Sequence, residues 1–139
     1  MKVVLSAETG QQGRAAQAWC TEHLGPGDSV VAVVGLSNLG ELVLGVPPFD
    51  GLATEGELIA EVEYDFCRQL RTSGVLCQTR FVRRAQARAV AEVASEEDAD
   101  LIVIGKRPHS RLADAVIGPV AAHVVHRPPC PVVVVPASA

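Results

Sequence analysis

Two glycines in the last third of this 139-residue chain are spaced like the anchors of a phosphate-binding loop. Gly105 closes an apolar run, and Gly118 stands directly before a helical pattern. In α/β proteins such a loop cradles an anion, because backbone N–H groups at a helix start point at the phosphate. Glycine adds close approach, since it has no Cβ in the way. The order of strand, glycine, loop, glycine and helix therefore predicts a site for a phosphate-bearing ligand.

Two prolines interrupt this cradle. Pro108 has no N–H and fixes φ, so it removes one donor and restricts the path of the loop. Pro119 occupies the expected first position of a helix that runs to about His126, where proline is well tolerated because that amide lacks an intrahelical partner. The same amide is one that a phosphate would use. The prolines thus predict a preserved fold with a weakened phosphate site.

Cations beside Gly105 favour the opposite prediction, namely that the loop binds an anion. Lys106 and Arg107 follow it directly, and Ser110 and Arg111 lie further along the same loop. A basic loop can bind an anion, but loop cations that are simply solvated are the alternative interpretation. Both interpretations stay open at the level of the sequence.

The elements that must position this loop follow from hydrophobic patterning. Apolar runs rich in Val and Ile predict strands covered on both faces of a parallel sheet: Val3 to Leu5, Val30 to Val34, Leu101 to Ile104 and Val132 to Val135. The alternating run Val75 to Val82 is typical of a sheet edge. Helical patterns separate the strands: Gln11 to Leu24, Thr54 to Leu70, about Ala85 to Glu97, and Pro119 to His126. The sequence predicts the order β-α-β-α-β-α-β-α-β.

Strands that alternate with helices imply a single α/β domain over residues 1–139, a three-layer doubly wound fold with a mostly parallel sheet and helices on both faces. Its ligand crevice is expected at the carboxyl ends of the strands, near Ser6, Gly35 and Gly105. The glycine- and proline-rich segment from Gly35 to Thr54 is either a flap over that crevice or a variable surface loop.

Composition narrows the range of partners. Sixteen acidic against twelve basic residues give a net charge of −4, without a basic run that would follow a nucleic-acid backbone. No apolar run approaches the roughly 18 residues of a membrane span, so a cytoplasmic protein is expected. We expect Cys20, Cys67, Cys77 and Cys130 to be reduced and buried.

No catalytic or metal site is predicted. His123 and His126 lie three residues apart on one helix, but no cysteine or carboxylate completes a spacing typical of zinc. They are interpreted as surface histidines. No serine stands beside a base in a nucleophile motif either. The sequence therefore favours a protein that is not an enzyme.

Four stretches resemble the universal stress protein family over nearly the whole chain: the first strand, the capped helix that begins at Thr54, the stretch EDADLIVIG from Glu97 to Gly105, and the closing PPCPVVVVP. Its nucleotide-binding members carry Gly, two residues, Gly, nine residues, Gly and Ser or Thr after the fourth strand. Here the spacing is kept from Gly105 to Gly118, but Pro108 and Pro119 replace two signature residues. The family's binders tend to end strand one with an aspartate that meets the nucleoside, whereas this chain has Ser6, with Glu8 as the nearest acid.

The resemblance implies sheet order 3-2-1-4-5 and ATP or another adenine nucleotide as ligand. It also implies association through the last strand, since Val132 to Val135 would form an open apolar edge that invites pairing with a second copy. Two hypotheses remain. One is a non-enzymatic, homodimeric stress-response protein with weakened or lost ATP binding that acts through unknown protein partners or an altered small ligand. The other is an adenine-nucleotide binder, with slow hydrolysis as an extension.

Overall fold

The computed structural model describes residues 1–8, 10–36, 55–106 and 119–137, with the backbone alone at 55–59, 61, 62, 65 and 119–122. Its elements, in chain order, are β1 (Lys2–Ser6), α1 (Gln11–His23), β2 (Ser29–Gly35), α2 (Glu55–Thr72), β3 (Leu76–Val82), α3 (Gln86–Glu96), β4 (Leu101–Lys106), α4 (Pro119–His126) and β5 (Val132–Pro136). This is the alternation predicted from the apolar runs, and the predicted bounds of α4 are observed. The predicted flap or loop from Gly35 to Thr54 lies almost wholly outside the described residues.

The strands form one five-stranded sheet in the order β3-β2-β1-β4-β5. All four pairings are parallel, with Val3 opposite both Val30 and Leu101. The predicted α/β class and the strand order 3-2-1-4-5 are thereby confirmed. The prediction that the alternating strand β3 lies at an edge is confirmed as well, since β3 and β5 are the outermost strands.

Two apolar layers cover the sheet because the side chains of buried strands alternate between its faces. Val3 and Leu5 point into a layer shared with α1 and α2, where Ala16 of α1 and Leu70 of α2 are fully buried. Val4, Val31 and Ile102 point into the opposite layer, which is closed by α3 and α4. The three-layer arrangement therefore follows directly from the strand pattern.

The cysteines depart in part from the expectation of burial. Cys20 and Cys67 are fully buried, but Cys77 and Cys130 are only half-buried. Cys77 lies on the edge strand β3, and Cys130 precedes the edge strand β5, so neither has structure on every side. The two histidines of α4 are exposed, as interpreted from the sequence.

Within the described ranges, no helix is long and apolar enough to cross a membrane. Nor does that part of the chain bring three or more histidine, cysteine or acidic side chains together as a metal site.

Candidate functional site

The crevice predicted from the sequence lies where β1, β2 and β4 end. β1 ends at Ser6 and β2 ends at Gly35, as expected. β4 continues through Gly105 to Lys106, so Gly105 is a buried strand residue rather than the start of a turn. The structure thus brings Ser6, Gly35, Gly105 and Lys106 to the same end of the sheet.

Close packing explains the glycines at this end of the sheet. A Cβ on Gly105 would lie 1.7 Å from the carbonyl oxygen of Gln12 at the start of α1. Likewise, a Cβ on Gly13 would lie 1.7 Å from the carbonyl oxygen of Glu8. These are main-chain atoms, which cannot swing aside as a flexible side chain can. Gly105 is therefore required to seat α1 over β4, whether or not a ligand binds beside it.

A hydrogen-bonded network occupies the end of β1. The Ser6 side chain is fully buried, and its hydroxyl accepts a hydrogen bond from the Gln86 amide at 3.1 Å. The same hydroxyl donates to the Glu8 carboxylate at 3.4 Å. Buried polar groups need such partners, because an unpaired hydroxyl costs about 1–3 kcal/mol. The network therefore holds the Glu8 carboxylate at the end of β1.

Gln86 ties the network to β2. Its amide nitrogen also donates to the Val33 carbonyl at 2.9 Å, and its side-chain oxygen accepts the Gly35 N–H at 2.7 Å. A Cβ on Gly35 would meet the backbone of Gln86 at 2.8 Å, so glycine lets α3 start this close to β2. Gln86 thereby links the ends of β1 and β2 through one half-buried side chain.

Sequence reasoning missed Gln86. A glutamine in the first turn of a helix is typical of a surface residue. Its partner Ser6 is also 80 positions away, so no local pattern predicts the contact. A usable signal is its place at the start of the helix that follows β3, because the helix after a parallel strand starts beside the crevice.

The phosphate side of the predicted site is only partly described. Pro119 is the first residue of α4, as predicted, and Lys106 is half-buried at the end of β4, where its carbonyl accepts the Ala137 N–H at 3.2 Å. Pro108 and Gly118 lie outside the described residues. The structure therefore places Ser6, Gly105, Lys106 and Pro119 individually, and the assignment of all six residues to a ligand stays a prediction.

Known proteins are similar to this chain, which combines one sheet, two helical layers and a crevice at the strand ends. The sequence profile of the Universal stress protein family matches residues 11–136. The chain belongs to this family. A universal stress protein of Methanocaldococcus jannaschii is 32% identical over 103 residues, which cover 67% of this chain and 61% of that protein. The chain spans 44% and 61% of the length of two curated universal stress proteins that it matches.

Solved universal stress proteins share the fold. One from Arabidopsis thaliana, with AMP bound, superposes with a TM-score of 0.65 at 15% identity and covers 100% of this chain and 94% of its own. Another from Archaeoglobus fulgidus, in complex with dAMP, gives a TM-score of 0.60 at 17% identity, covering 96% of this chain and 95% of its own. At these identities the likeness establishes the architecture of this universal stress protein.

Proposed function

We propose that this chain is a non-enzymatic universal stress protein whose binding of ATP is weakened or lost, and that it acts through protein partners or through an altered small ligand in the same crevice. The observation that carries the proposal is the position of Pro119 as the first residue of α4. A free N–H at that position is what a helix start offers to a phosphate, and proline has none. The helix keeps its start and loses the donor.

The end of β1 supports the same proposal. The family pattern puts an aspartate where this chain has Ser6, and the Ser6 hydroxyl is already bonded to Gln86 and Glu8. A nucleoside hydroxyl would have to compete with these partners, and displacing a satisfied buried group weakens binding. Both the phosphate end and the nucleoside end therefore carry changes that disfavour ATP.

A second candidate function rests on Glu8. Its carboxylate, held through the Ser6 hydroxyl at 3.4 Å, could take over the part of the missing aspartate toward ribose hydroxyls. The solved relatives named above hold AMP and dAMP, which carry a single phosphate and need fewer backbone donors than a triphosphate. The residues present thus fit an adenosine group with one phosphate better than they fit ATP. Adenine mononucleotide binding is the function to test beside the first.

Calorimetric titration with ATP and with AMP separates the two candidates, after denaturation of the purified protein to detect nucleotide that co-purifies. The first proposal predicts no released nucleotide and ATP binding weaker than about 1 mM. The double change Pro108→Gly and Pro119→Ser should then strengthen ATP binding by about 30-fold, since two restored donors at on the order of 1 kcal/mol each contribute about 2 kcal/mol. A matched control is Pro129→Ser, which changes an exposed proline between α4 and β5.

Micromolar ATP binding by the unaltered chain, or co-purified ATP, contradicts the weakened site. Binding of AMP alone, lost in Glu8→Gln, supports the second candidate. If the double change restores nothing and Ser6→Asp does, the nucleoside end is the cause and the prolines are not.

The proposal includes a homodimer through β5 and a cytoplasmic location. β5 is an outermost strand with four consecutive valines and no charged residue, and a second copy is the partner that such an edge fits best. The valines themselves do not all face the edge, because Val133 packs against one apolar layer and Val134 against the other. A test of the dimer must therefore alter the backbone at the edge.

A further inference from the structure

Two cysteines that are separated in the sequence touch in the fold. Cys67 on α2 and Cys77 on β3 have their sulfur atoms 2.6 Å apart. This separation lies close to the roughly 2.05 Å of a disulfide bond, and the two thiols are free in the structure. The two cysteines are ten positions apart in the sequence, and the C-terminal turn of α2 leads back to β3 so that the side chains meet. Closing the bond therefore requires only a small movement of two side chains.

The surroundings of this pair are unlike those of the other two cysteines. The guanidinium of Arg71 donates to the Cys77 carbonyl from Nε at 3.2 Å and from Nη2 at 2.9 Å, which holds a positive charge beside the sulfur atoms. Arg71 also pairs with Glu63 at 3.5 Å. The pKa of the Cys67 thiol is lowered, first because the Cys77 S–H donates to its sulfur and then because of the Arg71 charge, while burial and Glu63 act in the opposite direction. Such surroundings favour a thiolate at Cys67, whereas the hydrogen bond to Cys67 and then burial raise the pKa of Cys77, which stays a thiol.

We propose that Cys67 and Cys77 form a redox-active dithiol that a peroxide closes to a disulfide, tying α2 to the edge strand β3. The thiolate of Cys67 attacks one oxygen of hydrogen peroxide, which breaks the O–O bond and yields a sulfenic acid, with the second oxygen leaving as water after it takes up a proton. The Cys77 sulfur then attacks the sulfenic sulfur and displaces the second water. Two thiols and one peroxide thus give one disulfide and two waters, and a dithiol reductant reverses the step.

The two thiols differ in their exposure to solvent. Cys67 is buried, whereas Cys77 is half-buried on a strand that has no neighbour on its outer side in the described sheet. Small peroxides can reach the pair along this edge, whereas bulky alkylating reagents meet Cys77 first. We therefore expect the pair to react with small oxidants in preference to bulky ones.

Neither of the remaining cysteines shares these features. Cys20 lies in the same apolar layer, but burial raises the pKa of its thiol to about 12, so it stays protonated. Cys130 packs against the opposite layer, and burial with the nearby charge of Asp100 raises its pKa as well. The contrast makes Cys130 a matched control.

The test treats the full chain with one equivalent of hydrogen peroxide, alkylates the free thiols and digests with trypsin and a glutamate-specific protease. Cleavage after Glu63 and Arg68 isolates Cys67 in the peptide YDFCR, and cleavage after Arg71 and Arg80 isolates Cys77 in TSGVLCQTR. Cleavage after Glu22 separates Cys20 from both. We expect a linked YDFCR–TSGVLCQTR peptide as the main product, lost after dithiothreitol.

Three variants complete the test. Cys77→Val keeps a good strand former at a half-buried edge position, and Cys67→Ala removes the other partner. Both should lack the linked peptide, while Cys130→Ala retains it. Closing this loop should raise the Tm of the unaltered chain by on the order of 5–10 °C, and it should leave the Tm of Cys77→Val unchanged.

Single cysteines oxidised to sulfinic acid without the linked peptide overturn the proposal. A link that contains Cys20, or one that disappears in Cys130→Ala, overturns it equally. Because Cys77→Val is read out by mass and by Tm, the test survives if Cys67→Ala does not fold.

Discussion

The two edge strands of the sheet, β3 and β5, differ in the charged side chains that accompany them. At β3, the Arg71 guanidinium covers the Cys77 carbonyl, and Arg80 forms an ion pair with Glu96 at 2.8 Å. At β5, four valines carry no charge at all. An edge strand exposes a row of unpaired backbone groups, and charges or covering side chains are what prevent it from pairing with another chain. Among the described residues, β3 is therefore the more protected edge, and β5 is the edge at which we predict pairing with a second copy.

Backbone geometry identifies the groups involved at β5. Pro131 accepts the Ile102 N–H at 2.9 Å, and Ala137 donates to the Lys106 carbonyl at 3.2 Å, both toward β4. Because backbone groups of successive residues in a strand point in opposite directions, the N–H groups of Val132 and Val134 point away from the sheet. Pro136 also faces outward, where a missing N–H disturbs no ladder. Val132 and Val134 are thus the donors available to a second copy.

The largest expected effect concerns these donors. Val134→Pro removes one outward N–H from each copy and places a ring on the edge, so a β5-mediated dimer loses the same contact twice. At about 1.4 kcal/mol for each loss, the dissociation constant should rise about 100-fold, measured by analytical ultracentrifugation. The matched control is Thr79→Pro on β3, whose N–H also points outward, since Leu76 donates to Asp28 on the β2 side.

A dimer that resists Val134→Pro but dissociates in Thr79→Pro would reverse the comparison between the edges. Replacing Val133 by lysine is not a substitute for this test. Val133 packs against the layer of α1 and α2, so a lysine there would unfold the chain as readily as it would block an interface.

A smaller effect is expected from the protected edge. Arg71→Ala uncovers the Cys77 carbonyl and removes two hydrogen bonds, but water can replace them because the Arg71 side chain is 50% exposed. We expect a loss of about 0.5–1 kcal/mol in the free energy of unfolding, measured with urea. Arg68→Ala is the control on the same helix, since the Arg68 side chain contacts only the exposed Tyr64 among the contacts described for it. Equal losses in both variants would show that Arg71 does not protect the edge.

The smallest effect is a dependence on pH at the start of β3. Asp28 accepts the Leu76 N–H through its carbonyl, and its carboxylate pairs with the Met1 amine at 2.5 Å and accepts the Gly25 N–H at 3.0 Å. These contacts lower the pKa of Asp28 in the folded chain. Its contribution is therefore complete above the unfolded pKa of about 3.9 and is lost as the pH falls through the lower folded value.

The urea midpoint should decline over this acidic range, and the decline should be reduced in Asp28→Asn relative to Asp98→Asn, a change at an exposed acid. Hydrogen exchange should quicken at Leu76 before it does in β5. If the urea midpoints of the two variants decline equally as the pH falls, Asp28 does not cause the acid dependence.

Most of the fold was predictable because its signals are local. Runs of Val and Ile mark the buried strands, the alternation of Val75 to Val82 marks an edge, and Pro119 fits the first position of α4. Contacts between distant residues could not be predicted in this way. Gln86 meets Ser6 across 80 positions, and Cys67 meets Cys77 because a helix end turns back onto a strand. Neither pair follows a spacing rule.

Gly105 shows a second limit of prediction from sequence, because a motif does not distinguish a ligand role from a packing role. Its position in a family pattern predicted a ligand role, but the structure gives it a packing role that any fold with α1 seated this closely would need. A motif glycine can thus be required by the architecture alone, and only the surrounding backbone reveals this.

The packing of Gly13, Gly35 and Gly105 against neighbouring main chain has a consequence for how this protein can diversify. No side chain can be added at these positions to reshape the base of the crevice without moving a helix. Substitutions that change the polarity of the crevice and leave the backbone in place are therefore confined to its walls, at residues such as Ser6, Glu8 and Gln86. The backbone at the base of the crevice is thus fixed by packing, whereas the side chains on its walls can be exchanged.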